Sequence, residues 1–552
     1  MAGDADKGAS CNDQDHDHDD ASSNSLSKSL SKGRRIALVA TVTGAAFVNT
    51  LSIQSVVIIL PTIGRELNVP ESRQQWVVSS YSLAFGCFLL LWGRVADMYG
   101  KRLIFILGSA WVTIMTAVNP LVSHEIAFDI VRALHGLGAA ANVPTAIGIL
   151  GVTFPPGKAK NYAFSTYAAG APLGSVSGNL LSGFIAQYSS WKWVFGATAV
   201  MACTISIAGF LFIPCSGQGP PISQQPAIDW IGAFLITSGL VALMFALTEG
   251  NVVGWKTPWV PVTIVSSLLL VLGFVLWQLR LERRHDRHRP PLVKMSMFGN
   301  LRFSAVMAIM LLFFASFNNY LIYATYFFQD FQHLSPIQTM LRFIPSGAAG
   351  AIIALIVAQL LGRIPTFFIL VCGNVAVSLA SLLFALPLPP TTSYFAFGLP
   401  AMLLAVVGAD TTWPCLTLFT SQALPLEHQA VGGALINAVG QLGRAFGLAI
   451  STAVHTAVLA SARRVPVNDA GPLRPWDPHS LHALRAANWV NCGFGLASLL
   501  VVIVAFRSMD IVGKPTPPRP RDASHGPEHV PALSRHETPC PQRPLQCRQT
   551  VV

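Results

Sequence analysis

From Ile36 to Ser508 the chain repeats one feature that leaves few folds open to it: apolar runs of about 20 residues, separated by short polar connections. At 1.5 Å per helical residue, each run crosses a hydrocarbon layer of about 30 Å. In lipid such a run must be helical, because a helix satisfies its own backbone polar groups. The runs fall near 36–60, 74–93, 103–119, 127–152, 161–186, 191–213, 228–247, 258–279, 303–328, 337–361, 365–386, 394–420, 431–460 and 486–508. Charge scarcity points the same way: 11% of the 552 residues are charged, against about 25% in soluble proteins. The expectation is an all-α polytopic membrane protein with about 14 transmembrane helices.

The net charge is +11, but its distribution argues against nucleic acid as a partner. Lysine and arginine gather in short connections and in the tails, where they set topology and attract anionic head groups. Lys28, Lys32, Arg34 and Arg35 precede the first run. Arg94, Lys101 and Arg102 follow the second, Lys158 and Lys160 the fourth, and RLERRHDRHRPPLVK the eighth. An even number of spans puts these segments and both tails on one side, the cytoplasmic one. The connection 461–485 disagrees: it carries Arg463, Arg464, Arg474 and Arg485 yet falls outside. The first apolar run is too long and too far into the chain for a cleavable signal peptide, so it is expected to remain a span.

The connection 215–227 and the basic stretch 280–302 bracket two runs, leaving six before and six after. The expected organisation is a disordered cytoplasmic tail (1–35), a six-helix bundle (36–214), an inserted two-helix region (215–301), a second six-helix bundle (302–508) and a disordered cytoplasmic tail (509–552). Two bundles related by an axis along the membrane normal are a transporter architecture. The nine cysteines show no metal-ligand spacing, and no metal site is expected.

Four patterns carry chemistry. GRVADMYGKR, residues 93–102, places Gly93 and Gly100 where a tight turn and close helix approach are needed. Asp97 stands there among cations, able to pair with an arginine or a helix N-terminus across an interface, while Lys101 and Arg102 anchor to the cytoplasmic face. In RALHGLGAAANVP, residues 132–144, Arg132 is a charge at membrane depth, which is functional or paired by default. His135 shares its helix face and reads either as a proton-transfer group or as a hydrogen-bonding side chain; Asp129 reads as a partner for Arg132. In YAAGAPLGSVSGNLLSG, residues 167–183, Gly170, Pro172, Gly174 and Gly178 make a kink and a smooth packing face. Asp410 lies mid-run in AVVGADTTWPC. An ionised carboxylate without a partner there costs about 2.5–3.5 kcal/mol, so Asp410 is a proton carrier or a hydrogen-bonded structural acid. Asn49, Gln54, Asn142, Asn319 and Asn437 are further polar candidates for a cavity. No catalytic triad, Walker loop or dinucleotide fingerprint is present, so neither an enzyme nor a self-contained ATP-driven pump is expected.

On these motifs the chain resembles the major facilitator superfamily. GRVADMYGKR resembles its Gly-x3-Asp-Arg-x-Gly-Arg/Lys-Arg/Lys signature, with Met98 where a basic residue is usual. The resemblance implies a gate in which Asp97 locks two bundles together. RALHG resembles Arg-x2-Gln-Gly, with His135 for glutamine, and implies a link between Arg132 and proton coupling. GAPLG resembles the Gly-Pro-x2-Gly antiporter signature, with Ala171 before Pro172, and implies export. The run count, Asp229–Gly232 and NAVGQLGRAFGLAI (437–450) are similar to the 14-span drug:proton antiporter branch, and within it to the fungal aminotriazole-resistance subgroup; Ser52 stands where that branch often has an acid.

The expected function is proton-coupled efflux of a small organic molecule by alternating access, the proton gradient being the energy source and no cofactor being needed. Multidrug resistance is the associated trait. The alternative is low-affinity passage of a small solute such as ammonium or borate. The expected partners are a small-molecule substrate and the lipid bilayer, with the chain a monomer. The expected location is the plasma membrane, the vacuolar membrane being the alternative.

Overall fold

The computed structural model describes residues 31–68, 76–155, 157–214, 228–284, 290–424, 429–467, 470–471, 473–507 and 511. Among these the chain is helical, without strands. Fourteen long helices follow in order: α1 (Lys32–Glu66), α2 (Trp76–Tyr99), α3 (Lys101–Val118), α4 (Glu125–Thr153), α5 (Lys158–Tyr188), α6 (Lys192–Phe212), α7 (Trp230–Val253), α8 (Trp259–Arg284), α9 (Leu301–Tyr326), α10 (Pro336–Leu360), α11 (Thr366–Ala385), α12 (Gly398–Ala423), α13 (Gln429–Arg463) and α14 (Pro478–Phe506). Of the expected tails, 1–35 and 509–552, residues 1–30, 509–510 and 512–552 lie outside the described residues, as do 215–227 and 285–289 of the two bracketing connections.

Local chemistry starts these helices. Ser31 accepts from Arg34 N at the head of α1, and Asn300 accepts from Arg302 N at the head of α9. Ser335 and Gln338 form a reciprocal capping box that satisfies two otherwise orphaned amides of α10. Between α2 and α3 the turn is one residue, Gly100, at φ 101°, a conformation open to glycine and costly for a residue with a Cβ.

Thirteen of these helices are long and apolar enough to cross a membrane. The exception is α5, which trades apolar side chains for glycine, alanine and serine and is packed along α1 and α10. Several helices also outrun the apolar stretches that announced them. Residues 32–35, expected in the tail, begin α1; residues 280–284 extend α8; and α14 starts at Pro478 rather than 486. The reason is physical: apolarity marks the thickness of hydrocarbon, while helical hydrogen bonding continues into the polar layer.

That extension places two of the four cations of residues 461–485 in helices. Arg463 ends α13 and Arg485 lies within α14. Arg463 pairs with Asp477 at 3.0 Å and donates to Ala470 O, and Arg485 donates to Leu388 O at 2.7 Å. These two cations are spent on local structure, while Arg464 and Arg474 stay in the connection.

Among the first six helices, α1 packs on α5 and α6, α2 on α4, and α3 on α4 and α6. Among the last six, α9 packs on α13 and α14, α11 on α12 and α14, and α10 on α12. Five helix pairs cross between the sets among the described residues: α2–α13, α4–α13, α5–α10, α5–α12 and α4–α12. The pair α7 and α8 packs together, with α7 also against α2 and α13. Along α8, Val262, Val265, Leu268, Leu269, Leu272 and Leu276 are exposed, a lipid-facing stripe.

Candidate transport path and gate

At the α2–α3 turn the Asp97 side chain is 2% exposed. Its two oxygens accept from Ala430 N at 3.3 Å and Val431 N at 3.0 Å. These amides open α13, so the carboxylate caps a helix of the other set, where unpaired N–H groups and the helix dipole favour an anion. Lys101 completes the site at 3.0 Å from Asp97. Gly93 allows the approach: a Cβ there would stand 2.6 Å from the Ala434 Cβ and 3.0 Å from Ala430 O. Lys101 and Arg102, expected to anchor to the membrane face, have other partners. Lys101 serves Asp97, while Arg102 donates to Phe210 O at 2.7 Å and lies over the Phe210 ring, tying α3 to α6.

The first six helices enclose a polar core. Arg132 is fully buried; its Nε donates to Val77 O at 3.2 Å and its guanidinium lies 4.8 Å from the Tyr81 ring centroid. The Tyr81 hydroxyl donates to Asn49 Oδ1. His135 Nε2 lies 3.1 Å from Thr116 Oγ1, whose own proton goes to Val112 O. With that proton so used, the imidazole Nε2 is the donor to Thr116. Ser109 donates to Asn142 Oδ1 at 3.2 Å. Asn49, Tyr81, Ser109, His135 and Asn142 line one small cavity.

Helix α5 presents two faces. On one, Gly170, Gly174 and Gly178 abut α1: added Cβ atoms would lie 2.7, 2.2 and 2.7 Å from the carbonyl oxygens of Thr43, Phe47 and Leu51. On the other, Pro172 and Val176 meet Gly350 and Gly347 of α10. The small residues thus let α5 sit between the two sets of helices. Beside Pro172 lies Asp410, 6% exposed, its Oδ2 2.9 Å from the Cβ position of Gly350. That oxygen is buried and has no hydrogen-bond partner among the described residues. Asp410, Gly350 and Pro172 therefore bring α12, α10 and α5 to one point.

The remaining polar candidates scatter. Asn319 is fully buried on α9, its Nδ2 donating to Ala315 O at 2.6 Å. Asn437 donates to Gly433 O within α13, and Gln54 is half-buried on α1. Trp76 Nε1 donates to Glu249 Oε1 at 2.7 Å and joins α2 to α7. Sequence reasoning gave no role to Arg444, in the middle of α13. The rule that singled out Arg132, a cation inside an apolar run, applies equally to it.

Comparison with known proteins agrees with this fold. Residues 42–448 match the Major Facilitator Superfamily. The efflux pump terJ of Aspergillus terreus is 27% identical over 437 residues, covering 76% of this chain and 81% of its own length. A low affinity ammonium transporter of Saccharomyces cerevisiae is 28% identical over 455 residues, covering 81% and 83%. The solved structure of the proton:xylose symporter XylE superposes with a TM-score of 0.59 at 13% identity, covering 88% of this chain and 99% of that one; at that identity it speaks for the fold alone.

Proposed function

Because the chain belongs to the major facilitator superfamily, and is thereby an integral membrane transporter and not an enzyme, we propose that it expels a small organic molecule from the cytoplasm in exchange for protons. The observation that carries this reading is Asp410, a buried carboxyl oxygen without a hydrogen-bond partner where α5, α10 and α12 meet. A carboxyl group so placed is stable when protonated and costly when charged and unpaired. Rearranging the helices around it changes that balance, which couples proton occupancy to conformation.

In this reading helices α1–α6 and α9–α14 are two bundles and α7–α8 an inserted pair, and all fourteen helices cross the membrane as in the 14-span antiporter branch. The Asp97 cap on α13 is the cytoplasmic latch. With it closed, solute leaves to the outside and Asp410 takes up a proton. With it open, Asp410 releases the proton inward and the next solute binds. The side chains of Arg132 and His135 hold α2, α3 and α4 as one body during this movement. Proton driving needs no cofactor. The plasma membrane is the proposed location and the monomer the working unit.

The likeness to terJ supports efflux; the likeness to the ammonium transporter supports the alternative, low-affinity passage of ammonium or borate. Sealed inverted vesicles with an imposed pH gradient, acid inside, separate the two. Efflux predicts accumulation of an organic solute that collapses when the gradient is abolished. Flux of ammonium or borate alone, indifferent to the gradient, supports the alternative and contradicts exchange.

A further inference from the structure

Two arginines lie at membrane depth in unlike surroundings. Arg132 is sealed within the first six helices. Arg444 stands about 22 Å along α13 from Gln429, at 1.5 Å per residue, and is only half-buried. Its guanidinium carbon lies 4.8 Å from the centroid of the Phe314 ring on α9. Phe314 in turn meets Trp413 of α12 edge-on at 5.7 Å.

No ion pair or hydrogen bond engages the Arg444 guanidinium among the described residues, and its Nε is buried without a partner. A cation at this depth is costly unless something answers it. The ring satisfies one face by cation–π attraction, leaving the in-plane N–H donors unspent. Those donors form a flat fork that matches a carboxylate. One turn earlier on α13, Gln441 lies against Gly86 of α2. Positions 441 and 444 share a helix face, so Arg444 sits on the side of α13 turned toward the first six helices.

We propose that Arg444, Phe314 and Trp413 form the solute-recognition site and select organic molecules with a flat aromatic body and an anionic group, carboxylate or phenolate. The rings take the body and the guanidinium takes the anion. A fixed cation repels other cations, so ammonium and lipophilic cations are poor ligands. This deepens the transport reading and rests on it, but not on which way the proton moves.

Fluorescein and rhodamine 123 share a three-ring body and differ in charge, which isolates the term at issue. Their equilibrium binding to the purified full chain, read by fluorescence anisotropy, requires no flux. The expected result is fluorescein binding at least tenfold tighter than rhodamine 123. Arg444→Gln removes that preference, while Arg444→Lys keeps part of it, because an ammonium retains the charge and loses the planar fork. Rhodamine binding as well as fluorescein, neither binding, or Arg444→Gln retaining the preference each overturns the assignment. If Arg444→Gln does not elute as a folded monodisperse protein, the wild-type preference and Arg444→Lys decide. Loss of gradient-driven flux with the preference intact counts against the transport reading and leaves this site standing.

Discussion

The α1–α5 contact makes a prediction whose size follows from its geometry. A Cβ added at Gly174 would lie 2.2 Å from Phe47 O, while ordinary van der Waals contact begins at 3.4 Å. Backbone must yield by about 1.2 Å, the difference between those values, and it is the backbone of a long packed helix. Overpacking of this kind costs about 1–3 kcal/mol. The same substitution gains up to about 1 kcal/mol of helix propensity. Gly183, nine residues on in α5, has nothing within 4 Å, so Gly183→Ala collects the propensity gain alone. Gly174→Ala is therefore expected to be less stable than Gly183→Ala by about 1–3 kcal/mol, with Gly170→Ala and Gly178→Ala between them. Thermal unfolding of the four purified variants under one detergent condition measures the order. Gly174→Ala melting at or above Gly183→Ala would refute the argument that small residues are there to let α5 approach α1.

Two further perturbations test other parts of the structure. Asp97→Asn loses the pairing with Lys101 and the charge at the α13 N-terminus, about 1.5–3 kcal/mol for hydrogen bonds to a charged group. A cysteine at Val431 is expected to react with a polar thiol reagent at least tenfold faster in the Asp97→Asn background, and an unchanged rate would show that the cap is not a latch. At the head of α14, burial pushes the Asp477 carboxyl up, but hydrogen bonds from Ser480, Arg463 and the His479 and Ser480 amides outweigh it and hold it at about 2, below the ordinary 3.8. A depressed carboxyl stabilises the folded state above its unfolded value and loses that contribution as pH falls. Wild type is expected to lose stability between about pH 3.8 and 2; Asp477→Asn is expected to be less stable at neutral pH and flat in that interval, as read by unfolding at stepped pH.

The fold was legible because lipid imposes a length rule, and thirteen helices obey it by composition. Helix ends were not, since nothing in an apolar count says where hydrogen bonding stops in the polar layer; Arg485 looked like a loop residue for that reason. The glycine stripe of α5 announced close packing, but Thr43, Phe47 and Leu51 receive it through their carbonyl oxygens, which have no signature in side-chain identity. Asp97 was visible as an acid among cations, yet the donors it accepts from are two backbone amides 333 and 334 residues away. Arg102 looked like a head-group anchor because its partner, Phe210 O, is again backbone. Arg444 is different: its position inside an apolar run was readable, and what could not be read was the ring beneath it.

Whether Asp410 carries the proton exchanged for solute is decided by Asp410→Asn in sealed vesicles. Solute movement is followed once with an imposed pH gradient and once as solute-for-solute exchange at equal pH. The expected result is loss of gradient-driven accumulation with exchange preserved, because the amide fills the same space between α5, α10 and α12 but cannot release a proton. Accumulation at the wild-type level in Asp410→Asn would contradict it.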